Sequence, residues 1–359
     1  MDASFLLYGA YGYTGELIAR EAAARGLRPL LAGRDAGRLA SLAAELGLSS
    51  RAFDLSDRAA LESALATVPA VLHCAGPFVH TYRPMVDACL ERRVSYLDIT
   101  GEADVYLALA DLSDRAAALD VTLLPGVGFD VAPSDSLAAH LKRRLPSATH
   151  LTLAFRPDAG PSRGTAQTMA EHAHEGGLVR RDGKLTRVPV AWKTREIDFG
   201  AAGTAAGPGP QPAVTIPWGD VVTSWYSARI PNVEVYMTMP PAAIRTLQRG
   251  RMFVGLMKLS FVRRIAAARA RKRPAGPSAE RLARGETRLW GEARDAAGNV
   301  VVSRLRGPQA YRWTVLTALA ATERVCAGEA PRGFTTFAAA FGPDFILGPG
   351  VEREDLPNP

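Results

Sequence analysis

Three glycines near the start of the chain have the spacing of a phosphate-binding loop. Gly9, Gly12 and Gly15 follow a short apolar run and precede a helix-forming stretch. In a dinucleotide-binding fold, such glycines allow a tight exit from the first strand, let a pyrophosphate approach the backbone, and let the next helix pack closely on the sheet. The first N–H groups of that helix then face the anion. The predicted contacts in this loop are Gly9, Tyr11, Gly12, Tyr13, Thr14 and Gly15.

The residue that follows the second predicted strand indicates which dinucleotide binds. An NAD site usually has an acidic residue there to hold the ribose 2′-OH, whereas this chain has Arg34, within Gly33-Arg34-Asp35. A guanidinium can donate two parallel charge-assisted hydrogen bonds to a 2′-phosphate. We therefore expect NADP(H). The alternative is that Arg34 is a solvated loop arginine beside Asp35, which would cap the next helix.

Further cofactor contacts are expected where the other parallel strands end, because the ligand crevice of such a sheet opens there. Asp54 and Leu55 would flank the adenine, unless Asp54 only caps the following helix. The backbone of Ala75-Gly76-Pro77 would approach the nicotinamide ribose, and Thr100 lies after the next strand. These residues complete the predicted cofactor site.

Hydride transfer also requires a group that supplies a proton or stabilises negative charge. None of the nine tyrosines has a lysine four residues later, which excludes the Tyr-x-x-x-Lys mechanism of short-chain dehydrogenases. Donors expected near the crevice are Tyr82, Asp98, Thr100, Asp130, Ser134, Thr165 and His172. Our catalytic candidates are Tyr82, Asp130 and Thr165, and each of the donors has a structural alternative, such as capping a turn or a helix.

The elements that position these residues change character along the chain. Over residues 1–125, six predicted strands alternate with helices, which include the stretches 58–66, 83–92 and 103–119. This alternation implies a doubly wound parallel sheet and a dinucleotide-binding (Rossmann) domain, with Gly12 at the switch point of the sheet. Residues 126–310 form a predicted α+β substrate and dimerisation domain on an antiparallel sheet. A helix over 311–327 and an irregular tail to 359 are expected to pack back on the first domain. Strands of the second domain are predicted at 151–155, 220–226, 233–239, 287–293 and 299–305, the last two as a hairpin.

The positive charge of the chain is concentrated in one segment. The formal net charge is +7, yet residues 235–279 contain ten Lys or Arg and no Asp or Glu, which leaves 7 − 10 = −3 for the rest. A nucleic-acid binder is therefore not indicated. The segment 245–273 would suit an anionic membrane surface or an acyl carrier protein. The alternative is a helix packed on the protein with a solvated basic end.

Cysteine content and hydropathy limit the compartment. The three cysteines include no CxxC pair, so we expect neither a disulfide framework nor a metal site. The predicted first strand begins too early to leave room for a signal peptide. No apolar run reaches the length of about 20 residues that spans a bilayer. These observations favour a cytoplasmic protein, with a peripheral position at the membrane as the alternative.

Several short motifs occur in an order that is typical of one family. They are Gly9-Ala-Tyr-Gly-Tyr-Thr-Gly15, Cys74-Ala-Gly-Pro-Phe78, Tyr96-Leu-Asp-Ile-Thr-Gly-Glu102 and Pro125-Gly-Val-Gly-Phe-Asp-Val-Ala-Pro-Ser-Asp135. Together they resemble the saccharopine dehydrogenase-like family of NADP-binding oxidoreductases, particularly the bacterial branch with trans-acting enoyl reductases. Arg83 departs from the pattern, in which we expect a glycine. Substrates in such a family range from amino acid conjugates to polyketide-derived lipids, so the resemblance leaves the substrate open.

Three functions remain in competition. We expect an NADPH-dependent reductase of a bulky, lipid- or polyketide-like substrate, with enoyl reduction as the specific reaction. The second is saccharopine-like reduction of an imine between an amino acid and a keto acid, for which Arg163, Arg180 and Arg181 could bind carboxylates. The third is a lipid-associated nucleotide-binding protein without turnover. A homodimer is an option in each case.

Overall fold

The computed structural model describes residues 4–156, 176–200, 209–251 and 276–357. The chain divides into two compact units. The first contains residues 1–132 and 311–341, and the second contains residues 133–310 and 342–359. The division therefore falls seven residues later than the expected boundary at 125, and the tail is shared between the units. No helix in the described ranges has the length and apolar content needed to cross a bilayer.

The first unit contains a seven-stranded parallel sheet, with the strand order β15-β6-β5-β4-β1-β2-β3. Its strands are β1 Leu6–Tyr8, β2 Leu30–Gly33, β3 Ser50–Ala52, β4 Ala70–His73, β5 Ser95–Asp98, β6 Thr122–Leu124 and β15 Gly333–Phe334. The central strands β1, β4 and β5 are buried along their whole length, as expected where helices cover both faces of a parallel sheet. The predicted six-stranded parallel sheet over the first 125 residues is confirmed.

The order of these strands determines where a ligand can bind. Strands β2 and β3 lie on one side of β1, and β4, β5 and β6 lie on the other. The loops after β1 and β4 therefore diverge and leave a crevice at the carboxyl ends of the strands. The loop that contains Gly12 follows β1 directly, which confirms the predicted switch point.

Helices surround this sheet. They are α1 Tyr13–Ala24, α2 Ala36–Leu46, α3 Arg58–Leu65, α4 Phe78–Arg92, α5 Ala103–Ala110, α6 Ser113–Ala118, α11 Ala310–Cys326 and α12 Phe337–Phe341. The prediction of one helix over 103–119 is wrong, since it is broken into α5 and α6. Helix α4 begins at Phe78, before the expected start at Arg83, and it contains Pro84 in its first half. The irregular tail is also a wrong prediction, because β15 extends the sheet beside β6.

The second unit contains a nine-stranded sheet, with β10-β11-β12-β7-β13-β14-β16 as its main path and the β8–β9 hairpin paired with β12. Its strands are β7 His150–Arg156, β8 Gly177–Arg181, β9 Lys184–Val188, β10 Thr194–Ile197, β11 Gln211–Thr215, β12 Asn232–Thr238, β13 Glu286–Arg294, β14 Val300–Pro308 and β16 Glu352–Leu356. The predicted β13–β14 hairpin is confirmed. The sheet is mixed rather than wholly antiparallel, because β12 and β7 are parallel.

One predicted strand of this unit is a helix. The unit's helices are α7 Ala132–Arg144, α8 Asp220–Ser227, α9 Pro241–Gly250 and α10 Ala279–Arg284. Residues 220–226 are rich in β-branched and aromatic types, which favours a strand. However, Val221 and Val222 are both fully buried, which is incompatible with a strand that has one exposed face. Tertiary burial thus overrides local preference here.

Candidate cofactor site and active site

The three glycines of the first loop have different structural tasks. Gly9 has φ +84°, and a Cβ there would lie 2.9 Å from the backbone N of Ala75 at the end of β4. A Cβ on Gly15 would lie 2.2 Å from the carbonyl oxygen of Gly9, so helix α1 can pack on the loop only with glycine at this position. Gly12 has an ordinary extended backbone and precedes α1 as its N-cap residue. A Cβ at Gly12 would meet only the Gly9 carbonyl oxygen, at 3.2 Å.

This geometry fits the pyrophosphate of a dinucleotide. Gly9 and Gly15 are required by the fold, whereas the surface at Gly12 offers backbone to a ligand. Glycine has no side chain with which to cap α1, and helix N-termini bind anions. The predicted contacts Tyr13 and Thr14 form the first turn of α1.

The Tyr11 side chain binds the backbone directly after β2. Its hydroxyl accepts hydrogen bonds from the backbone N–H groups of Arg34 (3.2 Å) and Asp35 (3.3 Å). The guanidinium of Arg38 lies 4.7 Å from the centre of the Tyr11 ring and donates to the Tyr11 carbonyl oxygen at 2.7 Å. A Cβ on Gly33 would lie 2.6 Å from this ring, so glycine is needed there.

Arg34 is exposed at this tip, where a 2′-phosphate would lie. Asp35 caps α2 by accepting the N–H of Arg38 (3.0 Å), as the sequence allowed. Arg38 was missed by the sequence analysis as a second cation at this site. The signal was available: Asp35 is a favoured N-cap residue, which places Arg38 in the first turn of the helix that follows Arg34.

Asp54 and Leu55 lie after β3, near the expected adenine. Asp54 does not cap α3, because Asp57 does so by accepting the N–H of Ala60. The Asp54 carboxylate instead accepts hydrogen bonds from the N–H and hydroxyl of Ser56, which hold its pKa below the usual range. Leu55 packs partly buried against the core, so this loop is fixed by the fold.

The loop after β4 is closed against the start of α4. The hydroxyl of Thr81 donates to the Ala75 carbonyl oxygen at 2.7 Å. The N-terminus of α4 already has an anion, since the Glu102 carboxylate accepts the N–H groups of Phe78 and Val79, each at 2.8 Å. Glu102 lies after β5, so this carboxylate ties the loops of two neighbouring strands together.

Thr100 is fully buried beneath the site. Its N–H donates to Asp98, its hydroxyl oxygen accepts the N–H of Glu102, and its carbonyl oxygen accepts the Tyr106 hydroxyl. The predicted cofactor contact at Thr100 remains a prediction, while the structure gives this residue a clear role in holding the loop.

Two carboxyl groups near this loop have raised pKa values. Asp98 is fully buried at the end of β5, and burial raises its pKa to about 6, although it accepts hydrogen bonds from Thr100, Gly126 and Tyr96. Asp130, after β6, lies against Gly101, at which a Cβ would be 3.4 Å from the Asp130 carboxylate oxygen Oδ2. Burial, and next the negative charge of Glu102, raise the pKa of Asp130 to about 7. A carboxyl that titrates near neutral pH is suited to general acid catalysis.

The remaining sequence candidates are less closely tied to this site. Tyr82 lies on α4 and packs partly buried against the core of the first unit. Arg83 is in the same helix, where it donates to Asp87 and needs no glycine-like conformation. Ser134 lies in α7. Thr165, His172 and Arg163 lie outside the described residues. The structure thus brings Asp98, Glu102 and Asp130 together, and of these Glu102 was quoted in a motif but given no role.

Comparison with known proteins agrees with this geometry. Residues 5–124 match the model of the saccharopine dehydrogenase NADP binding domain. A trans-acting enoyl reductase of Mycobacterium tuberculosis is 34% identical over 151 residues, which cover 40% of this chain and 36% of that protein. The human saccharopine dehydrogenase-like oxidoreductase is 30% identical over 151 residues, 36% of this chain and 35% of that protein. The matches thus span about a third of these relatives.

A solved structure extends the likeness in fold beyond the first unit. The saccharopine dehydrogenase (L-Glu forming) of Saccharomyces cerevisiae, solved without ligand, superposes with a TM-score of 0.67 at 13% identity, over 99% of this chain and 100% of that chain. At this identity the comparison shows the fold alone. The first unit has the glycine loop, the two cations at the tip of β2, and the family match. Residues 5–124 of the chain therefore match a saccharopine dehydrogenase NADP-binding domain, and the chain is similar over this part to saccharopine dehydrogenase-like oxidoreductases and trans-acting enoyl reductases.

Proposed function

We propose that the chain is an NADPH-dependent reductase of a bulky, lipid- or polyketide-like substrate, and that it reduces an activated carbon–carbon double bond. The observation that carries this proposal is the Asp130 carboxyl, whose pKa is raised to about 7 by burial and by the charge of Glu102. It lies at the carboxyl edge of the sheet, where a doubly wound fold places the reactive end of a dinucleotide.

The chemistry needs one hydride and one proton. Bound NADPH would supply the hydride to the β-carbon of an enoyl thioester. The protein must then deliver a proton to the α-carbon, where negative charge develops. Near neutral pH a substantial fraction of Asp130 is protonated and can donate this proton, after which solvent water reprotonates the carboxylate. Tyr82 and Thr165 remain catalytic candidates.

The relatives support the enoyl substrate in a limited way. The mycobacterial relative is named a trans-acting enoyl reductase, and we extend the enoyl chemistry of that name to this chain as part of the proposal. The imine alternative needs arginines that bind carboxylates. Arg180 instead donates to the carbonyl oxygens of Val221 (2.8 Å) and Gly183 (2.6 Å) and lies over Trp225. Arg181 lies 4.2 Å from the ring centre of Trp192.

The proposal also includes a binding partner for the basic segment, residues 245–273. Helix α9 buries only Ile244, and it carries the exposed cations Arg245 and Arg249. The rest of the segment, from 252 to 273, lies outside the described residues. An acyl carrier protein would present an enoyl thioester together with negative charge, whereas an anionic membrane would present a lipid. Peripheral attachment to a membrane and a homodimer both remain proposals.

The test is NADPH oxidation by the purified full chain with three substrate classes. We expect loss of nicotinamide absorbance with enoyl thioesters, and not with mixtures of amino acid and keto acid or with aldehydes. Asp130→Asn should retain NADPH binding and lose most of this turnover. Turnover of the imine mixture alone would favour the saccharopine-like reaction. NADPH binding without any turnover would favour the lipid-associated binding protein.

A further inference from the structure

Glu102 holds an unusual position at the junction of two loops. The side chain is buried, with 5% of the residue exposed, and both carboxylate oxygens accept backbone N–H groups at the start of α4. These bonds satisfy two of the N–H groups that the first turn of α4 leaves without a partner inside the helix. The positive end of the helix further stabilises a negative charge there.

The backbone of Glu102 is also held by hydrogen bonds. The N–H of Glu102 donates to the Thr100 hydroxyl oxygen (3.0 Å), and the N–H of Thr100 donates to Asp98 (2.9 Å). The preceding Gly101 packs on Asp130, where a Cβ would meet the Asp130 Cβ at 3.3 Å. The backbone between Asp98 and Glu102 therefore runs directly against Asp130 and fixes the Glu102 charge near it.

We propose that Glu102 is a positioning residue, which ties α4 to the loop after β5 and holds a negative charge close to Asp130. This inference rests on the proposed function, in which Asp130 is the proton donor. Without the charge, Asp130 would lose its proton at lower pH and would be a poorer acid at neutral pH.

The other titratable groups around Asp130 do not replace Glu102 in this role. Asp98 and Tyr96 on β5 bind each other, and the Asp98 carboxylate is also held by two N–H groups. Tyr106 on α5 donates to the Thr100 carbonyl oxygen. On the α11 side, the Thr314 hydroxyl accepts the N–H of Phe129, next to Asp130. Among the charges of the described residues, that of Glu102 contributes to the raised pKa of Asp130.

The position of Glu102 in α5 offers a matched pair of variants. Glu102 is the N-cap residue of α5, but its side chain makes no cap bond there. The side chains introduced by Glu102→Asp and Glu102→Ser are both too short to reach the N–H groups of α4, and both are favoured at the N-cap position of α5. The first keeps a negative charge and the second is neutral. Glu102→Gln is the near-isosteric neutral variant, and Asp104→Asn removes an exposed carboxylate two residues away as a control.

The first measurement is a carbon-13 NMR titration of aspartate carboxyl groups in the cofactor-free full chain, with the Asp130 signal assigned by its loss in Asp130→Asn. We expect the Asp130 midpoint to fall by about one pH unit in Glu102→Gln and Glu102→Ser, the lower end of the effect of a close charge. Glu102→Asp and Asp104→Asn should leave it within a few tenths of a unit. An unchanged midpoint in both neutral variants would overturn the inference.

The second measurement is the pH profile of kcat for NADPH oxidation with an enoyl thioester. The loss of kcat at high pH should begin about one pH unit lower in the neutral variants, which is about tenfold lower kcat above pH 8, with little change in KM. A shifted Asp130 midpoint with an unshifted kcat profile would support the action of Glu102 and refute Asp130 as the proton donor. The two failures are therefore distinguishable.

Discussion

We predict that substitution of Gly12 separates cofactor binding from folding. The backbone of Gly12 has φ −70° and ψ 161°, which any L-residue can adopt. A Cβ there meets only the Gly9 carbonyl oxygen at 3.2 Å, so a small shift of the loop accommodates it. On the ligand side, the added carbon stands where the pyrophosphate must approach the backbone.

The expected size of the effect follows from this overlap. An added carbon in a close-packed contact costs about 1–3 kcal/mol, which raises Kd by about 5- to 150-fold. We expect Gly12→Ala to weaken NADPH binding by this amount and Gly12→Val, with two more carbons, to remove it. Gly9→Ala and Gly15→Ala should instead destabilise the fold, because Gly9 has positive φ and a Cβ on Gly15 would overlap the Gly9 carbonyl oxygen.

The assay is calorimetric titration with NADPH, together with thermal unfolding of each variant. Gly348→Ala is the control, because a Cβ there would meet none of the described residues within 4 Å, and it should change neither quantity appreciably. Normal NADPH affinity of Gly12→Val would refute the placement of the pyrophosphate. A loss of Tm in Gly12→Val as large as that in Gly15→Ala would refute the separation of roles.

Three further predictions concern charge. Arg34→Ala should weaken NADPH binding by about 1.5–3 kcal/mol and leave NADH binding nearly unchanged, and Arg38→Ala should act in the same direction; equal losses for both cofactors in a titration would make Arg34 structural. As a proton donor, Asp130 must be protonated, so kcat should fall as pH rises through about 7, and Asp130→Asn should abolish this limb and lower kcat by about 10²- to 10⁴-fold. At low salt the protein should sediment with anionic but not neutral vesicles, or retain an acyl carrier protein, since each surface cation contributes about 1 kcal/mol and salt screens the attraction. Replacement of five basic residues by glutamine should remove this binding but not the turnover of a small substrate. These residues are Arg263, Arg264, Arg271, Lys272 and Arg273. If the wild-type protein binds neither vesicles nor carriers, this result would favour the alternative, in which the segment is a packed helix with a solvated basic end.

Several features of the site can be predicted from sequence because their cause is local. A parallel strand buried on both faces is a short apolar run, and the glycine loop must follow the first such strand. The cap of α2 at Asp35 and the cation at Arg34 depend on a few adjacent residues. The cofactor domain, its alternation of strands and helices, and the preference for NADP therefore follow from the sequence by itself.

Other features depend on residues that are distant in the chain. Glu102 lies 24 residues after Phe78 and 28 before Asp130, so no local pattern shows that its carboxylate caps α4 and faces that acid. Residues 220–227 favour a strand by type, but burial of adjacent valines makes them helical. Strand β15 joins β6 from about 210 residues away. Burial and the close approach of a second charge shift the pKa of a side chain, and burial can override a local preference for strand or helix. Both effects depend on residues that are distant in the chain, so only the tertiary structure determines them.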